Sequence, residues 1–177
     1  MAWTTPTTRS TGDLITAAIW NTDLVDDLNY LYGSLPSARV YHNATQTVAD
    51  VTTAALALNT ERWDNDVIHD TSTNNSRLTC KTAGKYIITA TGEHESATYA
   101  GTLLWIIRLN GATFLCKEEQ WDQGSISRKS SSSINAIYDL AINDYIEFVV
   151  TNNSGGTRTI QAAGAYTPEF GMHRIGG

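Results

Sequence analysis

The stretch "TLLWIIRLNGAT", Thr102 to Thr113, decides how the chain folds. Asn110-Gly111 sits between two apolar runs. Both central residues of a type I′ turn need positive φ, so this pair predicts a β-hairpin. Upstream, Leu103, Trp105 and Ile107 share one face of a strand, and Leu104 and Ile106 share the other. An antiparallel strand ordinarily has one wet face, so a strand that is apolar on both faces needs a second covering surface. Self-association supplies one, with Leu104 and Ile106 at the interface. A folded-back helix or a loop is the other available cover.

Working outward, the period of two continues. Leu78 and Cys80 share a face in "RLTC", as do Tyr86, Ile88 and Ala90 in "KYIITATG" and Ile146, Phe148 and Val150 in "NDYIEFVV". This is half-buried antiparallel strand patterning. "AIND" (Ala141 to Asp144) and "NNSGGT" (Asn152 to Thr157) read as turns, and "STNNS" (Ser72 to Ser76) and "RKSSSS" (Arg128 to Ser133) as exposed loops. Roughly eight to ten short strands result, the pattern of a sandwich or jelly roll.

The N-terminal end departs from this pattern. Residues 1–15 carry no sustained period and are expected to order only against something else. Thr16 to Tyr32 reads as one amphipathic α-helix, with Thr16 as N-cap and Gly33 as the C′ residue. Ala17, Trp20, Leu24, Leu28 and Leu31 fall on one face. About four turns are too few to be stable alone in water, so the stripe needs a partner. The chain is therefore expected to be mainly β, an antiparallel jelly-roll sandwich over 38–177, preceded over 1–37 by a flexible leader and one short helix.

Bulk properties narrow the function. Of 177 residues, 41% are hydrophobic and 17% charged, which is enough apolar material for a core. The net charge of −6 argues against a nucleic-acid surface, because phosphate binding wants a basic face. No apolar run approaches the length of a membrane span, and the start lacks the cationic and apolar regions of a secretory signal. Cys80 and Cys116 are expected to be buried free thiols.

Three segments, in order, resemble the jelly roll shared by complement globular heads and the tumour-necrosis-factor superfamily. "TAGKYIITATGEH" resembles that family's Gly-x-Tyr segment, with Gly84 in the turn and Tyr86 in the core. "YDLAINDYIEFVV" resembles its Leu-x-Leu-x-x-Gly-Asp strand pair, with Leu140 and Asp144 in register and Asn143 in place of the glycine. "EFGMHRI" is similar to its closing Phe-x-Gly strand, shortened so that Phe170 and Gly171 are adjacent. The resemblance spans Arg39 to Gly177 and implies a ten-stranded jelly roll that closes as a homotrimer. Under it, Leu104 and Ile106 become the trimer interface.

The opening segment carries a second resemblance. Trp3, Gly12, Thr16, Ala17, Trp20, Asn21 and Leu28 match a leader found on small structural proteins of tailed bacteriophages. This implies a virion-surface protein that docks on other virion proteins, tail or major capsid, through Trp3, Trp20, Leu24, Leu28 and Leu31. Two roles follow. One is tail-associated adhesion to a host glycan or protein, with Trp63, Tyr99 and Trp121 as ligand contacts. The other is capsid decoration. A soluble lectin-like or signalling module is a further alternative.

No catalytic chemistry stands out. Glu93, His94 and Glu95 alternate across a strand and cannot converge, and they read as a solvated strand end. Asp64, Asp66, His69 and Asp70 offer calcium-type ligands but lack the glycine and distal glutamate of a helix-loop-helix calcium loop, so an acidic surface loop is expected and no metal. His42, His69, His94 and His173 are scattered, and no Gly-x-Ser-x-Gly elbow or phosphate loop occurs. Glu118, Glu119 and Asp122 are the one dense acidic group near an aromatic, the minimum a glycan hydrolase would need. The expectation is a non-enzyme without cofactor, with no nucleic-acid or membrane partner.

Overall fold

The computed structural model describes residues 5–33, 35–98, 100–124, 128–162, 164 and 167–177. The chain divides into two compact units, Met1–Leu35 and Pro36–Gly177.

The first unit is helical at its end. Thr16 caps it, its Oγ1 accepting from the Ile19 N–H at 3.3 Å. The expected single α-helix is instead α1 (Ala17–Trp20), a π-helical stretch (Asn21–Asp26) and α2 (Asp27–Gly33). Asn21, Thr22 and Asp23 have short polar side chains that compete for backbone hydrogen bonds, which weakens an α-ladder at this point. Gly33 is the last helical residue rather than a left-handed residue beyond the end. Trp20, Leu24, Leu28 and Leu31 are all exposed or nearly so, between 37% and 55%. Ahead of the helix, Arg9 pairs with Asp23 at 3.1 Å and the Ser10 N–H donates to Asp13 Oδ2 at 2.7 Å, so the described leader has local ties without regular structure.

The second unit is an antiparallel sandwich. Its strands are β1 (Ser37–Tyr41), β2 (Gln46–Val48), β3 (Thr52–Ala55), β4 (Thr60–Asp64), β5 (Arg77–Thr79), β6 (Gly84–Ala97), β7 (Ala100–Leu109), β8 (Thr113–Gln123), β9 (Arg128–Leu140), β10 (Tyr145–Asn153), β11 (Arg158–Ile160) and β12 (Glu169–Gly176). One sheet runs β2-β11-β6-β12-β1-β4, with β9 also paired to β6; the other runs β3-β10-β7-β8, with β5 paired to β10. Twelve strands among the described residues exceed the expected eight to ten because β2, β5 and β11, of three residues each, add short pairings.

The turn residues behave as their chemistry requires. Asn110 (φ 50) and Gly111 (φ 71) close the β7–β8 hairpin, with the Ala112 N–H donating to the Leu109 carbonyl at 3.0 Å. Asn143 takes the left-handed conformation (φ 72) that glycine would otherwise supply. Gly84 sits at φ +144, and a Cβ there would collide with the Gly176 carbonyl oxygen, so only glycine fits. Two residues on, Tyr86 is fully buried and donates its hydroxyl to the Thr82 carbonyl at 2.6 Å.

The core lies between the sheets. Trp105, Phe148 and Phe170 stack with centroid spacings of 5.6 and 6.0 Å. Trp105 donates its indole N–H to Gln120 Oε1 at 2.9 Å, so its one polar atom is satisfied. A Cβ on Gly92 would lie 2.7 Å from the Trp105 ring, so the bare glycine makes room for the indole. The serine run from Arg128 to Ser133, expected as a loop, is instead the first half of β9, paired along β6. Serine is neutral enough as a strand former for long-range pairing to override it.

Candidate interaction surfaces and a buried polar cluster

The outer face of the first sheet is open and partly apolar. Ile87 on β6 lies directly opposite Ile137 on β9 and His173 on β12. Ile137 is 67% exposed and Ile87 39%. A groove of about 320 Å³ runs beside them, bordered by Arg39, Trp63, Ile87, Thr89 and His173. Gly171 leaves its floor bare. At its rim Glu169 pairs with Arg39 and, at 2.8 Å, with Arg62. Arg62 lies 4.2 Å from the Tyr41 ring centroid and Arg39 5.9 Å from that of Trp63. Trp63 donates to Ser37 Oγ at 3.3 Å. It belongs to the edge strand β4.

The outer face of the second sheet is closed over. Ile106, expected to face outward and be exposed, is 1% exposed within a single chain, and Leu104 is half-buried. Ile106 lies between Val149 on β10 and Lys117 on β8, and Val149 is itself buried. Beside this pair, Glu147 holds Arg108 at 2.9 Å and Arg77 at 3.4 Å, and Arg77 lies 4.1 Å from the Tyr145 ring centroid. The exposure that pointed to Leu104 and Ile106 is therefore mostly absent. Trp121, on the same face of the edge strand β8, is 70% exposed. Trp3 and Tyr99 lie outside the described residues.

A polar cluster that the sequence did not reveal closes one end of the sandwich. His94, expected at a solvated strand end, is fully buried. Its Nδ1 faces the Glu95 carbonyl at 2.8 Å, and its Nε2 lies 3.9 Å from Asp122 Oδ2. Arg158 Nη2 donates to the same oxygen at 2.6 Å, and Arg158 Nε donates to Ser154 Oγ at 2.8 Å. Ser154 in turn donates to Asn152 Oδ1 at 2.7 Å. Ser, His and Asp do converge, but Arg158 stands between serine and carboxylate, and no hydrogen bond links His94 to Ser154. The arrangement lacks the nucleophile–base contact that acyl transfer needs. Three segments remote in sequence supply it, around His94, Asp122 and Asn152 to Arg158, so no local motif could have announced it.

Most of the other acidic residues singled out from the sequence are in structural use. Glu118 accepts from Ser132 at 2.6 Å and from Gln120 at 3.3 Å, Asp122 is held by Arg158, and Glu119 points to the opposite face. They are not the paired carboxylates of a hydrolase. Asp64 accepts from the Asp66 and His69 N–H groups, Asp66 from Thr82, and Asp70 from Ser72 and Thr73, which holds the Asp70 carboxyl below its ordinary range. Among the described residues no acidic or histidine cluster is arranged to hold a metal ion. Cys80 is buried and free, and burial pushes its thiol up; Cys116 is free and half-buried. No described helix is long and apolar enough to cross a membrane.

No family model and no curated protein matches the chain. Solved structures do. The globular domain of zebrafish complement 1qA protein is 18% identical, with a TM-score of 0.56, covering 79% of this chain and 97% of its own. The Eiger TNF from S. frugiperda is 16% identical, with a TM-score of 0.61, covering 80% of this chain and 93% of its own. At these identities the likeness concerns the fold: Pro36–Gly177 is a jelly-roll sandwich of the kind that complement globular heads and tumour-necrosis-factor domains share.

Proposed function

We propose that this chain is a non-enzymatic binding and structural module that works as a homotrimer and docks through its N-terminal segment. The observation that carries self-association is the pair Ile87 and Ile137, open side by side on the first sheet, with Ile175 also 48% exposed. Contiguous apolar surface of this kind costs free energy in water unless a partner covers it. The trimeric count follows the resemblance to the complement-head and tumour-necrosis-factor jelly roll. A trimer of this sort closes by a heterologous, ring-forming contact.

The finer assignment is a virion-surface protein of a tailed phage, with the lean toward host adhesion and capsid decoration as the other role. It is supported by the resemblance of the leader and by the exposed stripe Trp20, Leu24, Leu28 and Leu31. Aromatic anchors of this kind dominate docking energetics, and three copies multiply a weak contact. Exposed Trp63 and Trp121 favour the adhesive role.

Light scattering on the full chain and on Pro36–Gly177 tests the core of the reading. The full chain is expected at about three times 19.3 kDa, with the shorter chain also trimeric but dissociating at higher concentration. A single-chain mass for both at micromolar concentration overturns it. Gold labelling of particles in micrographs then distinguishes tail from head, and unlabelled particles overturn the virion assignment.

A further inference from the structure

The first sheet's outer face changes character along its length. Below lie Ile87 and Ile137; above, the same strands present Thr91, Glu93, Ser131 and Ser133. A second groove, of about 370 Å³, opens among these residues and Thr167. That volume falls in the range of small-molecule sites, about 300–1,000 Å³. The hydroxyls of Thr91, Ser131 and Ser133 make no hydrogen bond to other described residues. Glu93 Oε1 is buried without a hydrogen-bond partner among the described residues, and the Lys129 ammonium stands 3.8 Å from it.

Elimination by chemistry identifies the occupant. An anion would meet the Glu93 carboxylate. A hard cation wants several carboxylate and carbonyl oxygens, and here the one carboxylate is already beside an ammonium. An apolar ligand would leave every hydroxyl unpaired. A neutral polyhydroxylated ligand satisfies all of them: one sugar hydroxyl donates to Glu93 and accepts from Lys129, and its neighbours exchange hydrogen bonds with the serines and threonine. Chained donors and acceptors of this kind reinforce one another. We infer that this groove is a binding site for a neutral saccharide, within one protomer and distinct from the tryptophan contacts.

The inference does not rest on self-association, because every lining residue belongs to one chain. The test is a titration of the full chain with the methyl glycosides of glucose, galactose, mannose and N-acetylglucosamine, and with glucuronate, followed by amide chemical shifts. At least one neutral glycoside is expected to give saturable millimolar binding centred on Thr91, Glu93, Ser131 and Ser133. Glu93→Gln is expected to weaken it by about tenfold and Ser133→Ala by a few-fold, since a hydrogen bond to a charged group is worth more than a neutral one. Unchanged melting temperatures separate these losses from unfolding, and a monomeric Ile137→Asp chain is expected to bind equally well. Absence of saturable shifts, shifts centred on Trp63 or Trp121, indifference to both substitutions, or tighter binding of glucuronate overturns the inference.

Discussion

The two sheets of the sandwich carry the same kinds of outward residue and treat them oppositely. On the second sheet, Ile106 and Val149 point away from the core yet are buried, with Lys117 in register opposite Ile106 and the Glu147, Arg108 and Arg77 ion pairs on the same sheet. On the first sheet, Ile87 and Ile137 stand open, with His173 opposite Ile87, Lys85 and Asp139 on one side and Thr89, Asn135 and Gly171 on the other. Alternation decides which way a side chain points. Its cross-strand neighbours decide whether water reaches it.

The sharpest way to break this comparison is to make one outward residue on each sheet polar. Ile137→Asp is expected to collapse the trimer to a 19.3 kDa species in light scattering. Leu104→Ser, on the other sheet, is expected to leave the mass unchanged. The reverse outcome would return the interface to the Leu104 and Ile106 ribbon.

A second test compares the two Arg-Glu-Arg arrangements. Glu147 is 4% exposed, while the side chains of its partners Arg108 and Arg77 are 22% and 36% exposed, so Glu147→Gln is expected to cost about 1–2 kcal/mol in denaturant unfolding. Arg39 and Arg62, the partners of Glu169, have half-exposed side chains, so Glu169→Gln is expected to cost under about 1 kcal/mol. Equal costs would mean that the second sheet's ionic row is as wet as the first's.

The smallest expected effect is in pH. Burial lowers the pKa of His42, which follows β1 in the first sheet. Its unfolded form titrates near 6.5, so the unfolded chain binds the extra proton first and stability is lost as pH falls below that value. Melting curves from pH 7 to pH 5 should show a shallower decline in His42→Gln than in the parent. An unchanged slope would show that His42 gains its proton as readily in the fold.

Local conformational chemistry was legible in the sequence. Asn110-Gly111, Asn143 and Gly84 each needed a particular φ, and only those residue types supply it cheaply; Tyr86, Ile88, Phe148 and Val150 followed from alternation alone. What depended on partners distant in sequence was not legible. Ile106 is buried in register with residues of β8 and β10, and His94 lies against Asp122, which Arg158 holds. The serine run looked like a loop because its strand identity comes from pairing with β6 rather than from its own propensity. Asn21, Thr22 and Asp23 weaken an α-ladder without specifying the π-helical one that replaces it, so this interruption of the N-terminal helix was equally hidden.

The knot of His94, Asp122, Arg158, Ser154 and Asn152 has a consequence for how the chain finds its pairing. Sliding β8 or β11 by one position would turn its charged member to the other side and leave Arg158 or Asp122 sealed away from its counter-charge. The penalty for such a mistake is far larger than for a misplaced aliphatic. The cluster thus acts as a proofreading check on alignment, admitting one threading of three distant segments and rejecting its near neighbours.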